Sequence, residues 1–209
     1  MAGGGVLRRG ALGALALSLG LSVLAGGASA AGPTLRADDM ALGNPRAPVT
    51  VIEYASVGCP HCGTWAREVF PAFRKTWIDT GKARFVFREM LFGDPDLAAA
   101  GFLTARCAGP GKYFQVVDAI FAAQPKIAAG AEPAATLRGI AKDAGLNGAQ
   151  FDACVADKGA LAALQARGLR HETVDKITGT PTFVVGARTL EGEQSLAQLG
   201  AAIAAARPR

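Results

Sequence analysis

The sequence predicts an α/β protein in which one sheet-bearing unit is interrupted by an all-helical insertion. Three observations carry this reading. Val49-Thr50-Val51-Ile52 and Ala83 to Met90 are strand-like runs on either side of a helical stretch. Residues 94–174 are rich in Ala, with Leu, Phe and Ile recurring at helical spacing. Thr182 to Val185 then returns to a strand pattern before a closing helix. Residues 31–93 and 175–209 therefore form the sheet unit, 94–174 the insertion, and 1–30 stand apart as a leader.

In chain order, the leader comes first. Arg8-Arg9 is a short basic region, Ala11 to Ala25 an apolar run, and Ala28-Ser29-Ala30 a small-residue cleavage pattern, which together read as a secretory signal cut after Ala30. An uncleaved anchor is the alternative, but the apolar run is shorter than the ~20 residues a membrane span needs. The formal charge of +5 falls to +3 once Arg8 and Arg9 are removed, a mildly basic balance. No run of Lys and Arg interleaved with aromatic residues occurs, so nucleic-acid binding is not expected. Residues 31–48 read as a loop with a short edge strand. A strand follows, ending near Tyr54, and then a helix to about Ile78 that Pro71 should kink by removing a helix hydrogen bond. The insertion should hold four or five helices, broken at Gly109-Pro110-Gly111, Pro125, Gly130, Pro133, Gly145 and Gly148. A turn at Gly186-Ala187 leads into a last strand at Arg188 to Leu190, and Ser195 is a candidate N-cap for the final helix.

The chemistry centres on Cys59-Pro60-His61-Cys62, where a central strand hands over to a helix. At a helix start, unpaired backbone N–H groups and the positive end of the helix dipole favour a thiolate. Cys59 is expected to be exposed and activated, and Cys62 to lie one turn further in and more buried. Pro60 fits a first-turn position, where its missing N–H costs little. His61 can add positive charge or donate hydrogen bonds toward the Cys59 sulfur. A stabilised thiolate favours the reduced pair and so makes the disulfide the stronger oxidant. Gly179-Thr180-Pro181-Thr182, just before the third strand, is read either as an ordinary strand boundary or as part of the site. Glu53, six residues before Cys59, is either a proton acceptor for Cys62 or a strand-end surface carboxylate. Cys107 and Cys154, on separate helices of the insertion, are either a structural or modulating disulfide or two buried thiols. The only histidines are His61 and His171, and with one CxxC they fall short of the paired clusters a structural zinc site wants.

Val51-Ile52-Glu53-Tyr54, Cys59-Pro60-His61-Cys62, the helical insertion, and Gly179-Thr180-Pro181-Thr182-Phe183-Val184-Val185 together resemble the DsbA-type thiol–disulfide oxidoreductases. The likeness extends from about Leu42 to the end of the chain. It implies a thioredoxin fold with an inserted helical domain, and donation of the Cys59–Cys62 disulfide to exported proteins, with no metal or other cofactor. By the resemblance Cys59 is the nucleophile, Cys62 its partner, Pro60-His61 the redox-tuning dipeptide, and Pro181 a cis proline. That proline leaves the backbone of Thr180 free to pair with a substrate strand. The implied partners are reduced or unfolded exported proteins and a membrane quinone-linked oxidoreductase that re-oxidises a monomeric periplasmic enzyme. Two features depart from the best-known members. Val57-Gly58 stands where those are aromatic, which predicts a smaller hydrophobic patch, and Thr180 is shared with isomerase and reductase branches. The competing readings are a disulfide isomerase or reductase and a non-catalytic peptide-binding chaperone. The expectation that no separate dimerisation domain precedes the leader, together with the Pro-His dipeptide, argues against the isomerase.

Overall fold

The structure is a computed structural model that describes residues 1–5 and 34–207; the signal-peptide reading over residues 6–30 lies outside the described residues. Five strands form one mixed sheet: β1 (Met40–Leu42), β2 (Thr50–Ala55), β3 (Arg84–Glu89), β4 (Thr182–Val185) and β5 (Arg188–Glu191), in the spatial order β1-β3-β2-β4-β5. β2 and β3 run parallel, so the chain between them must cross over, and α1 (Pro60–Glu68) and α2 (Phe70–Phe73) do this. β4 pairs antiparallel with β2 and brings Thr182 opposite Tyr54, next to the segment that ends in Cys59. Strands separated by the whole insertion thus meet at the centre of the sheet.

Between them lie α3 (Pro95–Cys107), α4 (Tyr113–Ala128), α5 (Pro133–Asp143), α6 (Gly148–Ala156) and α7 (Lys158–Thr173), and α8 (Leu196–Ala206) closes the chain. The caps explain several boundaries. The Asp94 side chain accepts from the backbone N–H groups of Asp96 and Leu97, and Asn147 and Ser195 each form a reciprocal capping box with the Gln three residues on. Two sequence expectations are corrected. The helix after Cys62 does not run through to Ile78 with a single kink. It ends at Glu68, restarts as α2 with Pro71 in its first turn, and finishes in a π-helical turn, Arg74–Ile78. Pro125 does not break the insertion either, but lies inside the last turn of α4.

The sheet has two differently buried faces, as strand alternation requires. Val51, Glu53, Ala55, Phe85, Phe87 and Phe183 share one face, which packs with Trp65 of α1, α8 and the insertion into the main core. Ile52, Tyr54, Val86 and Met90 point the other way and pack with Ile177. On that second face Arg88 is buried, and bonds to both Asp39 oxygens (2.9 Å each), the Tyr54 hydroxyl (2.7 Å), Asp175 (3.2 Å) and the Thr34 carbonyl (2.8 Å). The segment ahead of β1 is thereby tied to the end of α7.

Candidate active site

Cys59 is the N-cap of α1, with extended backbone angles (φ −97°, ψ 121°), and Pro60 occupies the first helical turn. The loop leading to it is held from three sides. The Ser56 hydroxyl donates to the Phe92 carbonyl at 2.7 Å, and the Asp94 N–H donates to the Gly58 carbonyl at 3.0 Å. Gln124 of α4 donates its amide to the carbonyls of Val57 (2.8 Å) and Cys59 (3.1 Å), so the insertion itself braces the loop. Gly58 is required by packing: a Cβ there would stand 2.1 Å from the Asp94 carbonyl oxygen. The glycine that departs from the aromatic pattern is a point of backbone contact, and Val57 beside it is fully buried and adds nothing to a surface patch.

The two thiols are unbonded and unequal. Cys59 is lowered to about 5, first by a hydrogen bond from the Cys62 thiol, against the opposing effect of burial, and then by the Thr180 side chain and the N–H groups of Cys62 and His61. Cys62 is pushed far up by burial, by its hydrogen bond to Cys59 and by the neighbouring Glu53 charge. The expectation of an exposed Cys59 is corrected: the residue is only 6 % exposed, and Cys62 is 0 % exposed. The Thr180–Pro181 peptide is cis, and the Thr180 carbonyl accepts from the Cys59 thiol at 3.5 Å. The Gly192 N–H in turn donates to the Pro181 carbonyl at 2.8 Å.

His61 meets Cys59 through both routes read from the sequence, a hydrogen bond and a charge interaction, although its ring takes another partner. Its backbone N–H faces Cys59, but its ring bonds through Nδ1 to Glu193 at 2.7 Å and stands largely in solvent. Glu193 raises the His61 pKa. The sequence reading missed Glu193, which reaches the site only because the β4–β5 hairpin returns beside α1. The Trp65 indole N–H, donating to the Gln194 carbonyl at 2.8 Å, pins that return. An exposed pair of this kind is weak and screened by salt. In Glu193→Gln the His61 pKa will fall, as it will in the native chain on adding salt; an NMR titration of the ring protons that shows no fall would remove the pairing.

Glu53 sits on the core face of β2, 2 % exposed, so the surface-carboxylate alternative is excluded. Burial, reinforced by the charges of Asp118 and Cys59, pushes its pKa well up, and its Oε1 has no hydrogen-bond partner. Cys107 and Cys154 are joined as a disulfide between α3 and α6, with Cα atoms 6.1 Å apart. His171 lies buried on α7 beside the Tyr54 ring and bonds to Asp175 at 3.0 Å and Arg36 at 3.1 Å. Beside Pro60 and Thr64, an open groove of about 420 Å³ runs past Leu97 to Ile127 at the end of α4. Among the described residues no group of three or more His, Cys, Asp and Glu is arranged to hold a metal ion.

The model of the thioredoxin family matches residues 36–205, which takes in all five strands and the insertion. The chain belongs to the thioredoxin family. A Rickettsia typhi protein named as a protein-disulfide oxidoreductase is 34 % identical over 149 residues, 71 % of this chain and 54 % of the relative. The chain thus spans about half the length of the curated relatives it matches. Among solved structures, Wolbachia pipientis alpha-DsbA1 superposes with a TM-score of 0.73 at 25 % identity, over 82 % of this chain and 92 % of that one. BdbD from Bacillus subtilis, at 21 % identity, shares the fold, with a TM-score of 0.73 over 85 % of this chain and 96 % of that one.

Proposed function

We propose that this chain is an exported thiol–disulfide oxidoreductase that donates its Cys59–Cys62 disulfide to reduced client proteins. The observation that carries the reading is the inequality of the two thiols: Cys59 near 5 beside a Cys62 that burial holds neutral. A thiolate stabilised at Cys59 makes it the better leaving group and favours the reduced enzyme, so electrons flow from client to enzyme. A client thiolate attacks the Cys59 sulfur, the Cys59–Cys62 bond breaks, and Cys62 leaves with the electron pair and takes a proton. A second client thiolate then attacks the client sulfur of the mixed disulfide and expels Cys59 as a thiolate. The client is oxidised by two electrons and the cysteine pair reduced by two.

In this reading Glu53 is the group that exchanges the proton with Cys62, because it is buried against that thiol and its charge raises it. Thr180 and Pro181 form the wall on which an extended client segment pairs, and the groove from Pro60 to Ile127 receives its side chains. The Cys107–Cys154 disulfide is structural, joining two helices of the insertion. The signal-like leader supports a periplasmic location, and in this reading the enzyme is a monomer re-oxidised by a membrane quinone-linked partner; among the described residues no helix is long and apolar enough to cross a membrane.

The test is the reduction potential of the Cys59–Cys62 couple, from equilibrium with glutathione, together with refolding of a reduced, unfolded client. A potential well above the roughly −270 mV of thioredoxin, with oxidation but no reshuffling of client disulfides, is the expected result. A thioredoxin-like potential, or isomerase activity equal to the oxidase activity, overturns the donor assignment.

A further inference from the structure

Burying a carboxyl oxygen without a partner costs stability, so the Glu53 Oε1 atom calls for an explanation. Glu53 faces a cavity of about 10 Å³, room for a single water. Aromatic side chains, among them Trp65, Phe85, Phe87 and Phe121, make most of its wall. The one other ionisable residue on that wall is Asp118 of α4. Asp118 also lines a second, open pocket of about 300 Å³ with Arg67, Pro71 and Arg74. A single side chain of the insertion therefore borders both the small cavity beside Glu53 and the larger pocket lined by Arg67 and Arg74.

We propose that Asp118 passes the Cys62 proton between Glu53 and solvent, so that the helical insertion supplies the outer half of the proton path for the cysteine pair. The proposal rests on Glu53 being the group that exchanges a proton with Cys62. When the enzyme is re-oxidised, the Cys62 thiol gives its proton to the Glu53 carboxylate, Glu53 passes a proton through one water to Asp118, and Asp118 releases one into the outer pocket. The Cys62 thiolate then attacks the sulfur of the mixed disulfide at Cys59, and the partner thiolate leaves with the electron pair. In disulfide donation the proton runs inward along the same groups.

Four sets of groups face this path. Cys59 and Cys62 of the α1 start and Glu53 of β2 surround its inner end, while Arg67 of α1 and Arg74 of the π-helical turn border its mouth. Burial lifts Asp118 to about 6, with Arg74 opposing. It therefore holds and releases a proton readily near neutral pH, which an ordinary surface aspartate does not. Asp118 touches neither sulfur, and acts through Glu53 as a positioning residue for the proton.

The test is single-turnover oxidation of the full reduced chain by glutathione disulfide, quenched with acid and resolved by mass. It separates formation of the Cys59 mixed disulfide from the later attack by Cys62. In Asp118→Asn the second step slows about tenfold while the first stays within about twofold. The rise of the second-step rate through about pH 6 disappears, and added acetate restores speed. Asp118→Glu retains both rate and rise, and serves as the control should the Asn chain unfold. Slowing in Glu53→Gln without slowing in Asp118→Asn overturns the relay but leaves Glu53 as the proton acceptor. No slowing in Glu53→Gln overturns both. Equal slowing of both steps with the pH rise intact marks a structural role for Asp118 and also overturns the proposal.

Discussion

Lowering the pH from 7 to 5 will reduce the stability of the reduced protein relative to the oxidised protein by about 2 kcal/mol. The cause is Cys59, whose folded pKa of about 5 lies far below that of an unfolded thiol. A depressed acid stabilises the fold in full above its unfolded pKa, and the contribution is lost as pH falls through the folded value. The window is therefore about pH 8.5 down to 5, and at pH 7 the thiolate contributes about 3 kcal/mol. Cys62 adds almost nothing between pH 5 and 7, since burial keeps it neutral in the folded chain and an unfolded thiol is still almost wholly protonated there. Glu53 and Asp118, both raised, titrate in either redox form, so comparing the two forms cancels most of their effect. Urea unfolding of the oxidised and reduced chains at pH 5 and 7 reads the difference directly. A gap that does not change with pH would show that Cys59 is not ionised. By linkage the same 3 kcal/mol raises the reduction potential at pH 7 by roughly 60 mV, at about 30 mV per 1.4 kcal/mol. The stability measurement and the donor assignment thus test one another.

The sheet unit, the insertion and the cysteine pair were legible in the sequence because each rests on local signals. The strand-like run around Val51, the strand pattern around Phe85, a cap at Ser195, and a CxxC after a strand all act within a few residues. What was not legible depends on what the topology brings together. Glu193 meets His61 across 132 positions of sequence, and Gln124 reaches the Val57 carbonyl across 67. Gln124 left one trace, as a polar residue near the apolar end of α4; Glu193 left none. Glu53 was ambiguous for a related reason. A lone carboxylate in a strand is buried or exposed according to which neighbours cover its face, and Trp65, Phe85 and Phe87 do so here. Pro125 was misread because a proline in a helix's last turn leaves most of the helix's hydrogen bonds in place, so it need not end the element.

Arg88→Met will cost about 3–5 kcal/mol of stability while leaving the reactivity of Cys59 at pH 7 unchanged. The arginine side chain is 1 % exposed, and both of its carboxylate partners, Asp39 and Asp175, are largely buried. A buried ion pair contributes little compared with a well-packed apolar substitute, but removing one member leaves the other charge without compensation. Asp39 loses both of its Arg88 bonds and keeps only the Arg36 backbone N–H at 2.8 Å. Asp175 is better protected. Although burial opposes it, hydrogen bonds from Arg36, His171 and Tyr54 hold its carboxylate well below the usual range. The destabilisation should therefore come mainly through Asp39, and Asp39→Leu in the Arg88→Met background should recover part of it. A coupling energy of about 1–3 kcal/mol in that double-mutant cycle is the expected result; simple additivity would mean that the loss comes from Tyr54, Thr34 or packing instead. Cys59 keeps its reactivity because Arg88 lies on the sheet face with Tyr54 and Ile177, opposite the face that carries Glu53 and Trp65. Alkylation rates that fell together with stability would show that the two faces are coupled, and that residues 34–39 help to hold the active-site strand in place.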